Sequence, residues 1–198
     1  MPGAKALRER TGALVVGRRA PEVPRQDRRF RPDTEPTDGE RVVLEGASLR
    51  CLETPGHASN HLCFLLEEER VLFTGDHVLG DVTPVIVPPD GDMVDYLASL
   101  ARLQALDLAA LAPGHGPLLP DPAATLAGLV SHRLRREARV VEQLLAMGEG
   151  PLEALLPRVY EDVPASLHEI ARHTLHAHLI KLEREGRAAC EAASWRAT

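Results

Sequence analysis

Cysteine is scarce in this chain: three residues among 198, at positions 51, 63 and 190. A small, odd and widely spaced set excludes a disulfide scaffold and an all-cysteine zinc site, and predicts reduced thiols in the cytoplasm. Lysine is scarcer still, two of the 23 cationic residues, a bias read as genomic rather than functional. No apolar run approaches the roughly 18–20 residues of a membrane span. Residues 1–20 have no apolar core of signal-peptide length, so membrane and secretory classes are not expected. Positive charge is short in the middle of the chain. Residues 34–125 hold four Lys/Arg against fifteen Asp/Glu, whereas residues 1–33 carry a net +5 and residues 126–198 balance. That acidic middle, in a chain of net charge −6, is a poor surface for duplex DNA, which rewards a basic face. It suits clustered histidines at a metal site.

Hydrophobic residues make up 44% and charged residues 26%, ordinary globular usage. The length allows one full domain or two small ones. Residues 3–11 read as a short helix stopped by Gly12, Leu14–Val16 as a strand, and Pro21–Glu40 as an irregular loop. Short β-type runs follow at Val42–Leu44, Leu49–Leu52, Leu62–Leu66 and Val71–Thr74, the last two joined by the charged turn Glu67–Glu69. Asp92 is placed to cap a helix running to about Leu106, and Leu108–Ala112 reads as a further strand. Beyond Asp121 the period changes. Leu126–Met147 and Leu152–Tyr160 predict helices. Ser166 is placed to cap a third, to about Gly186, with Leu167, Ile170, Ala171, Leu175, Leu179 and Leu182 on one face. Helix, turn, helix and a short tail match a helix-turn-helix or winged-helix arrangement.

Three polar clusters sit at predicted strand-to-loop junctions: Thr54-Pro55-Gly56-His57 followed by His61, Phe73-Thr74-Gly75-Asp76-His77, and Ala112-Pro113-Gly114-His115-Gly116. Each repeats one design: an apolar strand, a glycine turn, then a ligand-type side chain. Glycine permits the turn, and the strand behind it fixes the direction of the imidazole or carboxylate. His nitrogen and carboxylate oxygen are the usual ligands of zinc. Each cluster alone is a polar turn; their order and spacing carry the signal.

In that order and spacing the chain resembles the metallo-β-lactamase fold superfamily, in particular the β-lactamase-like endoribonuclease-type subgroup with a C-terminal winged helix. Thr54–Gly80, Pro88–Leu100, Ala112–Pro117, Ser131–Glu137 and Leu167–Arg187 carry the likeness. The resemblance implies an α/β (α+β) fold, the αββα sandwich. Residues 1–125 would form the C-terminal part of that sandwich, and residues 126–198 a linker helix and winged helix. It also implies a metal-dependent hydrolase: His57 on a first zinc, Asp76 bridging both zinc ions as the catalytic carboxylate, His115 on the second, and hydroxide held between the metals attacking an ester-type or phosphodiester substrate.

One part of the family pattern is missing. The family's HxHxDH motif, which supplies four further ligands, does not occur, and no histidine precedes His57. The segment Pro2–Val16 looks like the helix and strand directly after that motif in relatives. The expectation is therefore a truncated form lacking most of the N-terminal half of the sandwich, with two protein ligands per metal and no activity as written. The alternative is a non-catalytic, degenerate binding module. Expected partners are a small ester or thioester, or single-stranded RNA, with no membrane, no sequence-specific DNA, and a homodimer contact as one role for the winged helix. His61 and His77 are expected to pack behind the ligands rather than bind metal. His132 and Arg133 are expected either to line a groove for an anionic substrate or to sit on a solvated helix face. His168, His173, His176 and His178 are expected at a surface or interface. Cys63 is read as a small buried apolar residue.

Overall fold

Strand direction is what gathers the three polar clusters. Five strands form one sheet in the order β1 (Arg41–Leu44), β2 (Ala47–Glu53), β3 (Leu62–Leu66), β4 (Val71–Gly75) and β5 (Ala110–Pro113). Pairing is antiparallel from β1 through β4, and β4–β5 is parallel. Strands β2, β4 and β5 therefore run the same way, and their C-terminal ends meet at one edge of the sheet. Each of those ends leads into one of the three clusters. The computed structural model describes residues 2–23 and 26–198; Met1, and Pro24 and Arg25 of the expected loop, lie outside the described residues.

The expected N-terminal helix is α1 (Pro2–Thr11). Alternation along the strands sorts the two faces. Leu52, Cys63, Leu65, Leu72 and Leu111 are buried against Tyr96, Leu100 and Leu103 of α2 (Met93–Gln104). Leu126 and Leu129 at the start of α3 (Pro122–Met147) join the same cluster. The opposite face presents the paired Phe64 and Phe73, the latter exposed. Among the described residues no second sheet covers that face. The late residues of α3, Val140 and Leu144, belong to a separate core with α4 (Leu152–Val159) and α5 (His168–Arg184). One long helix thus contributes to both cores.

Asp92 caps α2 as expected, accepting from the Val94 and Asp95 amides at 2.8 and 3.2 Å. The same carboxylate pairs with Arg184 of α5. Asp92→Ala is expected to cost roughly 0.5–2 kcal/mol, the usual range for a lost cap, and to lower the thermal midpoint; Asp92→Asn should recover most of that, because it keeps a capping oxygen.

Several expectations need correction. Leu14–Val16 is not a strand. Val16 makes one isolated bridge to Thr34, while the Asp33 carboxylate accepts the Val15 amide at 2.9 Å and so takes the donor a ladder would need. Ser166 does not cap the third helix. Residues Ala165–Leu167 form a 3-10 turn, and α5 starts at His168 without a side-chain cap. His168 Nε2 instead donates to the carbonyls of Tyr160 and Val163, at 3.1 Å each. Leu167 and Ile170 are exposed rather than on the buried stripe. The tail beyond Gly186 is a wing. Strands β7 (Ala188–Glu191) and β8 (Ser194–Ala197) form a hairpin, and β6 (Glu149–Pro151) adds to β8. Its turn residues, Ala192 and Ala193, both hold positive φ, a conformation that hairpins usually signal with Asn-Gly.

Candidate functional site

The turn after β2 carries His57. Gly56 holds φ +129, and a Cβ there would lie 2.3 Å from the Tyr96 backbone, so no other residue brings the turn this close to α2. His57 Nδ1 donates to the Val85 carbonyl at 2.9 Å. That bond sets the tautomer and leaves the Nε2 lone pair free, the arrangement metal-binding histidines use.

Asp76 follows the Gly75 bend at the end of β4, and His115 follows Gly114 at the end of β5. The Gly114 amide donates to the Gly75 carbonyl at 2.8 Å, locking the two turns together. A Cβ at Gly114 would lie 2.9 Å from Asp76 Oδ1, so the glycine makes room for the carboxylate. His115 Nε2 lies 3.6 Å from Asp76 Oδ1. His57, Asp76 and His115 line one cleft of about 760 Å³, with Phe64 and Val15 on its apolar wall.

His61 lines the same cleft. Its Nδ1 is 2.9 Å from Thr54 Oγ1, whose hydroxyl donates to Cys63 Sγ at 3.2 Å. Its Nε2 faces Gly75. Burial, reinforced by the neighbouring His57, pushes the His61 imidazolium down to about 4. His77 is fully buried, 4.7 Å from the Tyr96 ring between centroids, with both ring nitrogens lacking hydrogen-bond partners. Burial, then the adjacent histidines and Arg133, push it down to about 3. Both rings are therefore neutral. Cys63 is buried, and burial pushes its thiol up to about 12.

The donor chemistry fits a metal: two imidazoles, one with a fixed free nitrogen, and a half-exposed carboxylate. The donor number is short. Among the described residues no three His, Cys, Asp or Glu side chains converge into one metal-holding group, whereas a catalytic zinc takes about three protein ligands.

His132 and Arg133 do not reach this cleft. They line a separate pocket between residues 82–85, α3 and α5. The C-terminal histidines divide. His168 closes the start of α5, and His176 sits against Trp195. His178, expected near a surface, is fully buried, its Nδ1 3.8 Å from Glu137 Oε2. Two participants escaped sequence reading. Tyr96 was not singled out, yet it backs Gly56 and donates from its hydroxyl to the His77 carbonyl at 3.2 Å. Glu137 entered only as the end of the Ser131–Glu137 stretch that carries the family likeness. The i, i+4 spacing of Arg133 and Glu137 gave no signal of its own, since a solvated pair has the same spacing.

Residues 2–115 match the family model described as the metallo-beta-lactamase superfamily, and residues 152–195 match the beta-lactamase associated winged helix domain. A beta-lactamase-like protein 2 homolog of Caenorhabditis elegans is 33% identical over 149 residues, which are 75% of this chain and 49% of that protein. An atrochrysone carboxyl ACP thioesterase of Aspergillus terreus is 40% identical over 108 residues, 54% of this chain and 32% of that protein. The metallo-beta-lactamase family protein TTHA1429 of Thermus thermophilus superposes with a TM-score of 0.72 at 29% identity, over 85% of this chain and 55% of that one. The chain spans about half the length, or less, of the curated relatives it matches. No described helix is long and apolar enough to cross a membrane. On the family match across its strands and the shared fold, the chain belongs to the metallo-beta-lactamase superfamily and carries the winged helix domain associated with it.

Proposed function

We propose that His57, Asp76 and His115 belong to the zinc-binding cleft of a hydrolase that cleaves a thioester or related ester. The observation that carries this reading is the cleft itself, where three parallel strand ends deliver two histidines and one aspartate to a single edge. Thioester cleavage is favoured over RNA cleavage on two grounds. A relative is named a thioesterase, and Arg18, a cation lining the cleft, is already paired with Glu53, which leaves little to bind a phosphate backbone.

Bound zinc supplies Lewis acidity and a more acidic water at the scissile carbonyl. The chain's own residues prepare the place. Val85 keeps His57 in one tautomer with Nε2 toward the cleft. Asp76 offers carboxylate oxygens beside His115. Neutral His61 adds no positive charge next to the metals, and Phe64 gives an apolar wall to an acyl group. By donor count, residues 1–198 alone bind zinc weakly and turn over slowly. In a form that carries HxHxDH ahead of these residues, His57→Ala, Asp76→Ala or His115→Ala is expected to cut zinc-dependent hydrolysis of an acyl-N-acetylcysteamine thioester by at least about 100-fold. Unchanged turnover in the Asp76 variant would sink the site. The short donor set favours a second reading, a non-catalytic binding module. That reading predicts no thioester turnover in the same assay even with zinc saturating.

A further inference from the structure

Among the described residues Arg133 is a buried cation without a counter-ion. It is 2% exposed. One guanidinium nitrogen, Nη2, donates to the Pro84 carbonyl, and the group lies over the Tyr96 ring at 5.2 Å. Its Nε is buried and has no partner. One turn along the helix, Arg136 has Asp162 at 2.7 Å; among the described residues Arg133 has no carboxylate within ion-pair distance. An uncompensated buried charge is costly, and native proteins pair nearly all buried donors.

The residues that carry the unpaired groups line one pocket. Arg133, Tyr160 and His132 line a pocket of about 430 Å³ whose other walls include Pro84, Val163 and Ile170, a size within the usual range for small-molecule sites. The Tyr160 hydroxyl and His132 Nδ1 are likewise buried without partners. Tyr160 is 6% exposed, so its hydroxyl cannot turn to solvent for a partner. The arginine Nε–H can only donate, and the tyrosine hydroxyl can donate. The missing group is therefore an acceptor. A single unpaired cation calls for a single negative charge, since the other arginine of the lining, Arg136, is already paired with Asp162. Ile170 and Leu167 are about half exposed at the rim, which opens the apolar part to solvent.

We propose that this pocket binds an organic carboxylate with an apolar body: the Arg133 guanidinium and the Tyr160 hydroxyl, both closed to water in this structure, shift toward the pocket to donate to its carboxylate, and its hydrocarbon lies between residues 82–85 and α5. The site is separate from the metal cleft and does not rest on the hydrolase reading.

Calorimetric titration of the 198-residue chain with octanoate, 1-octanol and inorganic phosphate tests it. Octanoate is expected to bind saturably at about one per chain, 1-octanol at least tenfold more weakly, and phosphate not at all. Arg133→Met should weaken octanoate at least tenfold and Tyr160→Phe severalfold, while Asp76→Ala leaves it unchanged. Should Arg133→Met fail to fold, Ile170→Trp fills the pocket from its rim and must abolish binding with the far-UV circular dichroism intact. The proposal is overturned by no octanoate binding, by octanoate and 1-octanol binding alike, or by binding that survives both the Tyr160 and the Arg133 or Ile170 changes. Loss in Asp76→Ala would also overturn it, because that places the ligand in the metal cleft.

Discussion

Gly56→Ala is expected to destabilise the protein by roughly 4 kcal/mol, adding strain at a positive φ to overpacking. The new Cβ would meet the Tyr96 Cα and N at 2.3 Å, and neither is the end of a flexible side chain. Relief requires moving α2 or the turn that holds His57. Either movement breaks the His57–Val85 hydrogen bond, so zinc affinity should fall along with the urea midpoint. Gly128→Ala is the control. That glycine lies in α3 with open space around it and no positive φ, so alanine should stabilise by up to about 1 kcal/mol. Equal urea midpoints for the two variants would refute the role given to Gly56.

Glu137→Ala should cost about 3 kcal/mol. Glu137 is buried on α3, where Lys181 reaches it at 2.8 Å and Arg187 at 2.6 Å, with His178 at 3.8 Å. Removing one partner of a buried ion cluster typically costs about 3–5 kcal/mol. The lower end applies because Glu185 stays within 2.7 Å of Lys181 and 2.9 Å of Arg187. The effect also has a pH signature. Burial alone would raise the Glu137 carboxyl, but His178, Lys181 and Arg187 outweigh it and hold it down to about 2. As pH falls, the unfolded chain takes up this proton first. The carboxylate's contribution is therefore complete above about pH 4.5 and drains away toward pH 2. The gap between wild type and Glu137→Ala should be constant from pH 7 to 5 and shrink below about 4.5. A gap that is flat with pH down to 3 would show that the cluster is not charged as described.

The site was more legible in the sequence than the fold around it. Each polar cluster advertised itself as glycine followed by His or Asp after an apolar strand, and the three strands overlap the expected runs, although β5 begins at Ala110 rather than Leu108. Contacts between distant parts of the chain were not legible. Arg133 and Glu137 sit one turn apart on α3, and nothing local distinguishes them from a solvated i, i+4 pair. One faces a pocket and the other a buried cluster only because α5 packs there. The winged helix was expected, but the strands of its wing were not placed, since the hairpin turns through Ala192-Ala193 where alanine gives no turn signal. Ser166 had the composition of a cap, but Pro164 sets up a 3-10 turn first.

Zinc binding by the 198-residue chain, measured by competition with a chromophoric chelator for wild type and Asp76→Ala, tests the shared cleft most directly. In the proposed site Asp76, 3.6 Å from His115 Nε2, is shared by both metals, so its loss should weaken every zinc site at once, by at least tenfold, whereas His115→Ala should spare the site at His57. Saturable zinc binding that depends on Asp76 in this way is the predicted result. Zinc binding equal in wild type and Asp76→Ala, or none in either, would contradict a metal cleft built from these three residues.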